Sequence, residues 1–238
     1  MWIIGAFFYT SPSLARIEVT AEVERFKSGR LVARPWQIAD LPLAMELWGD
    51  PAVTALIDSR GKLTEAQVQE KLSAEIERER SSGVQYWALF DHYTAAFVGC
   101  GGLRPWVYTS REGEFEVGFH LVKRCWGKGF ATEAAVGALE YAWEKLRLSK
   151  VFAGHHPDNR ASEKILKKLG FEYIENFFYE PTGLMHPSYV CKAPTPETEH
   201  FRIAVARNEA PPNWWTPLLS SGGSGKVSNG PGTSSFYG

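Results

Sequence analysis

The sequence predicts an α+β fold in which helices cover a mixed β-sheet. Segments in which apolar and polar residues alternate, as in strands, are interspersed with segments of helical periodicity. Several strand-like segments are joined by short turns, which is typical of antiparallel pairing. One strand-like segment is followed instead by a glycine-containing loop, a long amphipathic helix and a further strand.

Composition and charge indicate one soluble globular domain with appendages. The 238 residues are 44% hydrophobic and 22% charged. The 26 basic and 27 acidic side chains give a formal net charge of −1. This balance argues against an electrostatic grip on nucleic acid or on an anionic membrane, so we expect neither as a partner.

Cysteine and histidine usage indicates a reducing compartment and no metal. Cys100, Cys125 and Cys191 show neither C-x-x-C spacing nor an even-numbered framework, which favours a cytoplasmic protein. The six histidines have no metal-ligand spacing. His155 and His156 are adjacent and would point to opposite sides of an extended chain.

Three regions differ in character along the chain. Residues 1–25 contain a short apolar run that is too short to span a bilayer and is not preceded by positive charge. We expect them to form a poorly ordered extension. Residues 26–192 carry the regular patterns of a domain, and residues 193–238, rich in proline, glycine and serine, are expected to be mostly disordered.

The domain opens with one predicted strand and two helices. The strand ends at Pro35, which disfavours continuation. Asp40 is expected to cap a helix that closes near Gly49, and Thr64 with Gln67 forms the capping box of a second, largely surface-exposed helix. The apolar positions are Leu41, Ala44, Met45 and Trp48 in the first helix, and Val68, Leu72 and Ile76 in the second, which runs from Glu65 to about Arg80.

Strands predominate in the remainder of the domain. Glycines at 99, 101 and 102 indicate a bulge or a close backbone approach. Trp106 and Tyr108 lie in a loop that either contacts an acceptor or packs on itself. The predicted elements are strands 85–90, 97–103, 114–122 and 150–154, helix 131–146, a helix after Asn159 that carries Ala161, Ile165, Leu166 and Leu169 inward and stops at Gly170, and strands 171–180 and 185–192.

The stretch Arg124-Cys125-Trp126-Gly127-Lys128-Gly129 is the most informative part of the chain. Two glycines one residue apart let the backbone approach a ligand, and the helix start that follows leaves N–H groups free for phosphate oxygens. The P-loop pattern fails because Gly129 follows Lys128. The dinucleotide fingerprint fails because Thr132 occupies the position of its third glycine.

The remaining pattern, R-x-x-G-x-G between a strand and a helix, resembles the pyrophosphate loop of the GNAT superfamily of acyl-CoA-dependent N-acetyltransferases. The strings Glu116 to Phe119 and Trp126 to Ala134 resemble the branch of ribosomal-protein alanine N-acetyltransferases. The resemblance covers about residues 26–192. It implies a three-layer α/β/α arrangement whose sheet is splayed at the cofactor site.

The resemblance also implies acetyl-CoA as the acetyl donor and a set of contacts to it. Backbone groups of Leu121 and Val122 would meet the pantetheine arm, and Asn159 would contact the cofactor. The pyrophosphate would lie on the loop and the helix start, at Arg124, Gly127, Lys128, Gly129, Phe130, Ala131 and Thr132.

Transfer to nitrogen requires a neutral amine and a proton for the leaving thiolate. At pH 7 an α-amine is neutral in about one molecule in seven, and a lysine in about one in 2,500, so an α-amine needs less help. Glu116 is the preferred base, because it lies opposite the large apolar residues of its strand. His120 shares that face and is the reserve, whereas Glu112 and Glu114 lie too near the loop.

Many members of the superfamily use a tyrosine to protonate the thiolate, and here Leu166 occupies that position. Asn159-x-x-Ser162 resembles the ribosomal-protein branch instead, in which the serine hydroxyl lies near the sulfur. We therefore expect Glu116 and Ser162 to be catalytic. The structural alternatives are a strand glutamate satisfied by a neighbouring arginine for Glu116, a helix N-cap for Asn159 and an exposed first-turn serine for Ser162.

The resulting hypothesis is an N-acetyltransferase that works by direct transfer in a ternary complex with a primary amine, a protein N-terminal α-amine being favoured. The alternatives are an acetyltransferase of a small-molecule amine, such as an antibiotic or a polyamine, and a non-catalytic module that senses acyl-CoA. The sequence leaves open whether the protein is a monomer or a homodimer.

Overall fold

Eight strands form one sheet within the described residues, 24–108 and 113–194, of the computed structural model. Most of segments 1–25 and 193–238, and the loop residue Glu112, lie outside those ranges. The strands are β1 (Phe26–Ser28), β2 (Leu31–Arg34), β3 (Tyr86–Asp91), β4 (Phe97–Pro105), β5 (Phe115–Leu121), β6 (Lys150–Gly154), β7 (Glu172–Tyr179) and β8 (Leu184–Lys192). Their order across the sheet is β1-β2-β3-β4-β5-β6-β8-β7.

All neighbouring strands are antiparallel except β5 and β6. These two run parallel and share a single register pair, Glu116 with Phe152, whereas β6 pairs with β8 over its whole length. The sheet therefore opens between β5 and β6. The predicted α+β fold with a mixed, mostly antiparallel and splayed sheet is confirmed.

In the part of the chain that the structure describes, five α-helices cover the sheet: α1 (Leu41–Trp48), α2 (Pro51–Thr54), α3 (Glu65–Ser82), α4 (Phe130–Glu144) and α5 (Arg160–Lys168). Trp87 of β3 meets Tyr141 of α4 with ring centroids 4.9 Å apart. The adjacent Tyr86 faces the other way and meets His120, which is bonded to Trp48 of α1. Helices α1 and α4 thus lie on opposite faces, which gives three layers.

The N-terminal region is a hairpin rather than the single predicted strand. Residues 26–28 pair with 31–33 across a two-residue turn, Gly29-Arg30. The alternation over three residues in β1 is too short to be distinguished from a turn in the sequence. The prediction also missed α2, a single helical turn that starts at Pro51.

Asp40 occupies the predicted N-cap position of α1, but its side chain makes no capping hydrogen bond to that helix. Its carboxylate accepts two hydrogen bonds from the buried guanidinium of Arg34, at 2.7 and 2.8 Å, and one from the amide of Gln37 at 2.8 Å. A bidentate bond to a buried arginine is stronger than an exposed cap. In contrast, the Thr64–Gln67 capping box at the start of α3 is confirmed.

Two helices, α3 and α5, differ in part from their predicted burial patterns. Glu75 of α3 is 1% exposed, although the charged face of this helix was expected to be solvated. In α5, Leu166 and the following Leu169 are buried as expected, but Ala161 is exposed and lines a groove instead.

Candidate active site

The glycine loop enters α4 with its backbone held in left-handed conformations. Gly127 has φ +71° and Gly129, the residue that caps α4, has φ +85°. The amides of Thr132 and Glu133 bond to the carbonyl of Gly129 at 3.0 and 3.2 Å. The amides that precede them have no acceptor inside the helix, so this turn offers N–H groups to an anion.

A long groove runs from this loop into the gap beside β5. Of the predicted cofactor residues, seven line it: Leu121, Gly127, Gly129, Phe130, Ala131, Thr132 and Asn159. Val122, Arg124 and Lys128 are not among its lining residues. Val122 is 2% exposed, and Arg124 pairs with Glu46 and donates to the carbonyl of Phe97 at 2.6 Å.

A second cavity lies on the other side of the gap and is lined mainly by aromatic and histidine side chains. Glu116 belongs to this cavity and not to the groove. Trp106 is 4% exposed and stacks on Phe152 with centroids 4.9 Å apart, so it is a packed wall of the cavity rather than an exposed loop residue. Other walls are Tyr86, Tyr108, Phe177, Tyr179, His155, His156 and His186.

The groove and the cavity meet at a small set of residues that line both. Asn159 and Ser162 come from the start of α5, and Phe119 and His120 from β5. Leu56 and Ile57 approach from the segment after α2. A ligand in the groove and one in the cavity would therefore contact each other beside Ser162.

Glu116 accepts a hydrogen bond from the phenol of Tyr86 at 3.0 Å. Burial raises the pKa of this carboxyl, while the nearby Arg104 guanidinium and the Tyr86 bond oppose the rise. A carboxylate with a raised pKa is better suited to accept a proton than one at its ordinary value.

Gly118 gives Tyr86 access to Glu116. A Cβ at this position would stand 2.1 Å from the phenol oxygen and 2.3 Å from Cζ. The phenol therefore crosses β5 where the strand has no side chain, two residues from Glu116 on the same face.

A buried arginine–glutamate ion pair packs against the ring of Tyr86. The guanidinium of Arg104 lies 3.8 Å from the centre of the Tyr86 ring and pairs with Glu75. Glu75 also pairs with Arg78 at 2.8 Å and accepts from the amide of Tyr86 at 3.1 Å. These contacts join α3, β3 and β4 beneath the candidate base.

His120, the reserve base, has a hydrogen bond and a pKa that do not suit a base. Its Nδ1 accepts a hydrogen bond from Nε1 of Trp48 at 3.2 Å. Burial and the nearby charges of Lys71 and Arg104 hold its pKa well below the usual value, so the ring is neutral. Because a neutral ring with an accepting Nδ1 carries its proton on Nε2, it presents a donor there.

The start of α5 combines the predicted cap with a position at the junction. Asn159 Oδ1 accepts from the amide of Ser162 at 3.0 Å, so the asparagine is a helix N-cap. Leu166, which stands at the position of the tyrosine acid of other superfamily members, is 2% exposed and lines the cavity.

The histidines of the cavity could not be assigned from the sequence. His155 bonds to the hydroxyl of Tyr189 at 3.2 Å, and His186 bonds to Thr182 at 2.8 Å. They come from the end of β6 and from β8, which only the sheet order brings together. Within residues 24–108 and 113–194, no group of three or more His, Cys, Asp or Glu residues is arranged to hold a metal ion.

The splayed sheet, the glycine loop at a helix start, and the groove and cavity that meet in the gap agree with what the resemblance to acyl-group transferases leads us to expect. The family model described as "Acetyltransferase (GNAT) domain" matches residues 30–172, more than half of the chain. The protein belongs to the GNAT family and is an acetyltransferase. No helix in the described ranges has the length and apolar character needed to cross a membrane.

Individual proteins are similar to this chain in sequence or in fold. The uncharacterized N-acetyltransferase p20 of Bacillus licheniformis is 25% identical over 150 residues, which are 63% of this chain and 83% of p20. RimJ of Mycobacterium smegmatis, solved with a CoA disulfide, is similar in fold with a TM-score of 0.62 at 16% identity, covering 78% of this chain and 93% of RimJ. The ribosomal-protein-S5-alanine acetyltransferase of Vibrio fischeri has a TM-score of 0.54 at 17% identity, covering 71% and 96%.

Proposed function

We propose that this protein transfers an acetyl group from acetyl-CoA directly to a primary amine, with a protein N-terminal α-amine as the favoured acceptor. The observation that carries the proposal is the junction of the groove and the cavity at Asn159 and Ser162. The glycine loop belongs only to the groove and Glu116 only to the cavity. This division supports a ternary complex in which donor and acceptor enter from different sides.

The groove has the character that a coenzyme A pyrophosphate requires. Its loop presents backbone N–H groups at Gly129, Phe130 and Ala131 beside the positive end of α4. The edge of β5 near Leu121 and Val122 is the expected contact of the pantetheine arm, and Asn159 the expected contact farther along. Arg124 and Lys128 would add positive charge near the loop. Acetyl-CoA, when bound, supplies the acetyl thioester.

Transfer forms a C–N bond and breaks a C–S bond, so the amine loses a proton and the thiolate gains one. We assign the first proton to Glu116, whose raised pKa and cavity position suit it as a base. His120 is a poorer base because its Nδ1 is already occupied by Trp48. The hydroxyl of Ser162 is assigned a place near the departing sulfur, since Leu166 cannot donate a proton.

Three arguments support the proposed acceptor class. At pH 7 an α-amine is neutral more often than a lysine side chain is. An α-amine therefore needs less help from a single carboxylate to lose its proton. Among the described residues, the buried donors Trp106 Nε1 and Arg104 Nε in the cavity wall have no acceptor. A peptide brings carbonyl oxygens that can satisfy such donors. The V. fischeri enzyme of similar fold is named for a ribosomal protein.

We also propose that the protein works in the cytoplasm as a monomer or a homodimer. Its three cysteines are buried, as suits a reducing compartment.

The test is an acetyl-CoA consumption assay with a panel of peptides that have free N-termini, their N-blocked lysine-containing counterparts, and small amines. Turnover restricted to free N-termini supports the favoured acceptor. Turnover only with polyamines or aminoglycosides would move the assignment to the small-molecule class. Background consumption with every acceptor, despite measured CoA binding, would instead support an acyl-CoA sensor.

Glu116→Gln separates the base assignment from the cofactor assignment. We expect kcat to fall about a hundredfold, a typical contribution of general-base catalysis, with the Kd for CoA unchanged. Unchanged kcat in this variant would refute the role of Glu116 and leave the cofactor site standing.

A further inference from the structure

Arg30 lies at the tip of the β1–β2 hairpin and contacts the glycine loop from a distant part of the sequence. Its Nη2 donates to the carbonyl of Lys128 at 2.7 Å. Its Nε donates to Oε1 of Glu133 at 3.0 Å, and its backbone amide donates to Oε2 of the same carboxylate at 2.8 Å. The guanidinium also lies 4.1 Å from the centre of the Phe130 ring.

These contacts lie on both sides of the amides that face the groove. Lys128 precedes Gly129, while Phe130 and Glu133 belong to the first turn of α4. Two glycines in the loop lose more conformational freedom on ordering than other residues would. A side chain that bonds to the loop before and after Gly129 therefore fixes the direction of its N–H groups.

We infer that Arg30, anchored by Glu133, is a positioning residue for the pyrophosphate of coenzyme A. It acts by holding the loop in its binding conformation before the ligand arrives, which reduces the entropy lost on binding. The inference rests on the proposed use of acetyl-CoA. It assigns a binding role to the N-terminal hairpin, whose sequence carries no phosphate motif.

An unpaired Glu133 would disfavour the binding of a diphosphate at the glycine loop. A carboxylate in the first helical turn is stabilised by the helix dipole, but it repels an anion that binds at the same place. The side chain of Glu133 is 14% exposed and pairs with Arg30, and this pairing neutralises the repulsion. The hairpin tip is itself fixed, because the amide of His92 donates to the carbonyl of Arg30 at 2.6 Å.

The test measures CoA binding by calorimetry and needs no acceptor. We expect Arg30→Gln to weaken CoA binding about tenfold. The matched control is Arg25→Gln, which breaks a similar arginine–glutamate pair between the chain before β1 and Glu79 of α3. The control should bind CoA as the wild type does, even where it lowers the melting temperature.

Glu133→Gln distinguishes positioning from simple charge. If Arg30 acts only as a positive charge near the phosphates, removal of the adjacent carboxylate should tighten CoA binding. If Arg30 positions the loop through Glu133, the same variant should weaken binding, and the amides of residues 127–131 should exchange hydrogen faster in the free protein.

The possible outcomes are distinct. Absence of CoA binding by the wild type would refute the proposed function. Wild-type affinity in Arg30→Gln, or tighter binding in Glu133→Gln, would refute the positioning role alone. Should Arg30→Gln not fold, Arg30→Lys and Glu133→Gln decide, because the lysine keeps the charge without the forked geometry and is expected to bind CoA more weakly than the wild type.

Discussion

The phenol oxygen of Tyr86 and Oε1 of Glu116 lie 3.0 Å apart, joined by a hydrogen bond that crosses β5 at Gly118. Tyr86 is in turn covered by the guanidinium of Arg104, which pairs with Glu75. The candidate base is thus the last member of a buried chain of polar contacts. The position and the pKa of Glu116 therefore depend on Tyr86, Arg104 and Glu75 as well as on burial.

Replacement of Tyr86 by phenylalanine should move the pH dependence of the reaction. The hydrogen bond favours the ionised carboxylate and so lowers the pKa of Glu116 against the effect of burial. Without it the pKa rises, so the acidic limb of kcat/KM should shift to higher pH. Loss of a hydrogen bond to a charged group should also lower kcat/KM at pH 7 about tenfold.

Tyr141→Phe is the control for this variant, because Tyr141 packs on Trp87 on the opposite face of the sheet. Its pH profile should coincide with that of the wild type. An unshifted acidic limb in Tyr86→Phe would show that the bond does not govern the ionisation of Glu116.

Gly118→Ala should affect stability and activity together. The added methyl group would stand 2.1 Å from the Tyr86 oxygen, closer than real contacts allow. Displacement of a buried ring by overpacking typically costs about 1–3 kcal/mol of unfolding free energy, measured by urea denaturation. A variant with the wild-type urea midpoint and wild-type kcat/KM would contradict the close approach of Tyr86 to this strand.

Glu75→Gln should be strongly destabilising. Glu75 is 1% exposed and is the partner of both Arg78 and Arg104. Removal of one member of a buried pair leaves an uncompensated charge, at a cost of about 3–5 kcal/mol in urea-derived unfolding free energy.

Glu77→Gln, on the same helix, is the matched control for Glu75→Gln. Its pair with Arg80 is exposed on both sides, so its urea midpoint should not change measurably. Equal urea midpoints for the two variants would show that the buried pair contributes no more than the exposed one.

Stability should decline in acid partly because of His186. Burial, reinforced by His156 and His155, lowers the pKa of His186 to about 4, against about 6.5 in the unfolded chain. The unfolded chain therefore takes up the proton first. The neutral ring makes its full contribution to the free energy of unfolding above about pH 6.5, and this contribution is lost as the pH falls towards 4.

His186→Gln should reduce this acid sensitivity, measured as the change in melting temperature between pH 7 and pH 4. The variant should lose less melting temperature over that interval than the wild type does. His92→Gln, which changes an exposed turn histidine, should lose as much as the wild type. If His186→Gln loses as much melting temperature between pH 7 and pH 4 as the wild type does, His186 is excluded as a source of the acid sensitivity.

The sequence predicted much of the fold because the relevant signals are local. The Thr64–Gln67 capping box, the strand 150–154 and the end of α5 at Gly170 each depend on residues close in the chain. Asp40 stands at the N-cap position of α1 as predicted, but its ion pair was missed, because a capping residue and an ion-pair partner look the same in a sequence. The choice between them depended on Arg34, whose burial is a tertiary property.

Candidate site residues divide in the same way. The glycine loop and Asn159 could be predicted, since strand–loop–helix order is visible in the sequence. Tyr86, Arg30 and His186 could not, because each reaches the site through strand pairing between distant segments. Glu75 was hidden among the many charged residues of α3, whose pattern does not reveal which one faces inward.

The single parallel pair between β5 and β6 divides the sheet into two antiparallel plates, β1–β5 and β6–β8. Glu116 belongs to the first plate, and Ser162 lies on the helix that follows β6, the first strand of the second plate. A molecule in the gap would contact both plates. The separation of the carboxylate from the hydroxyl therefore spans a boundary at which the two plates share a single register pair.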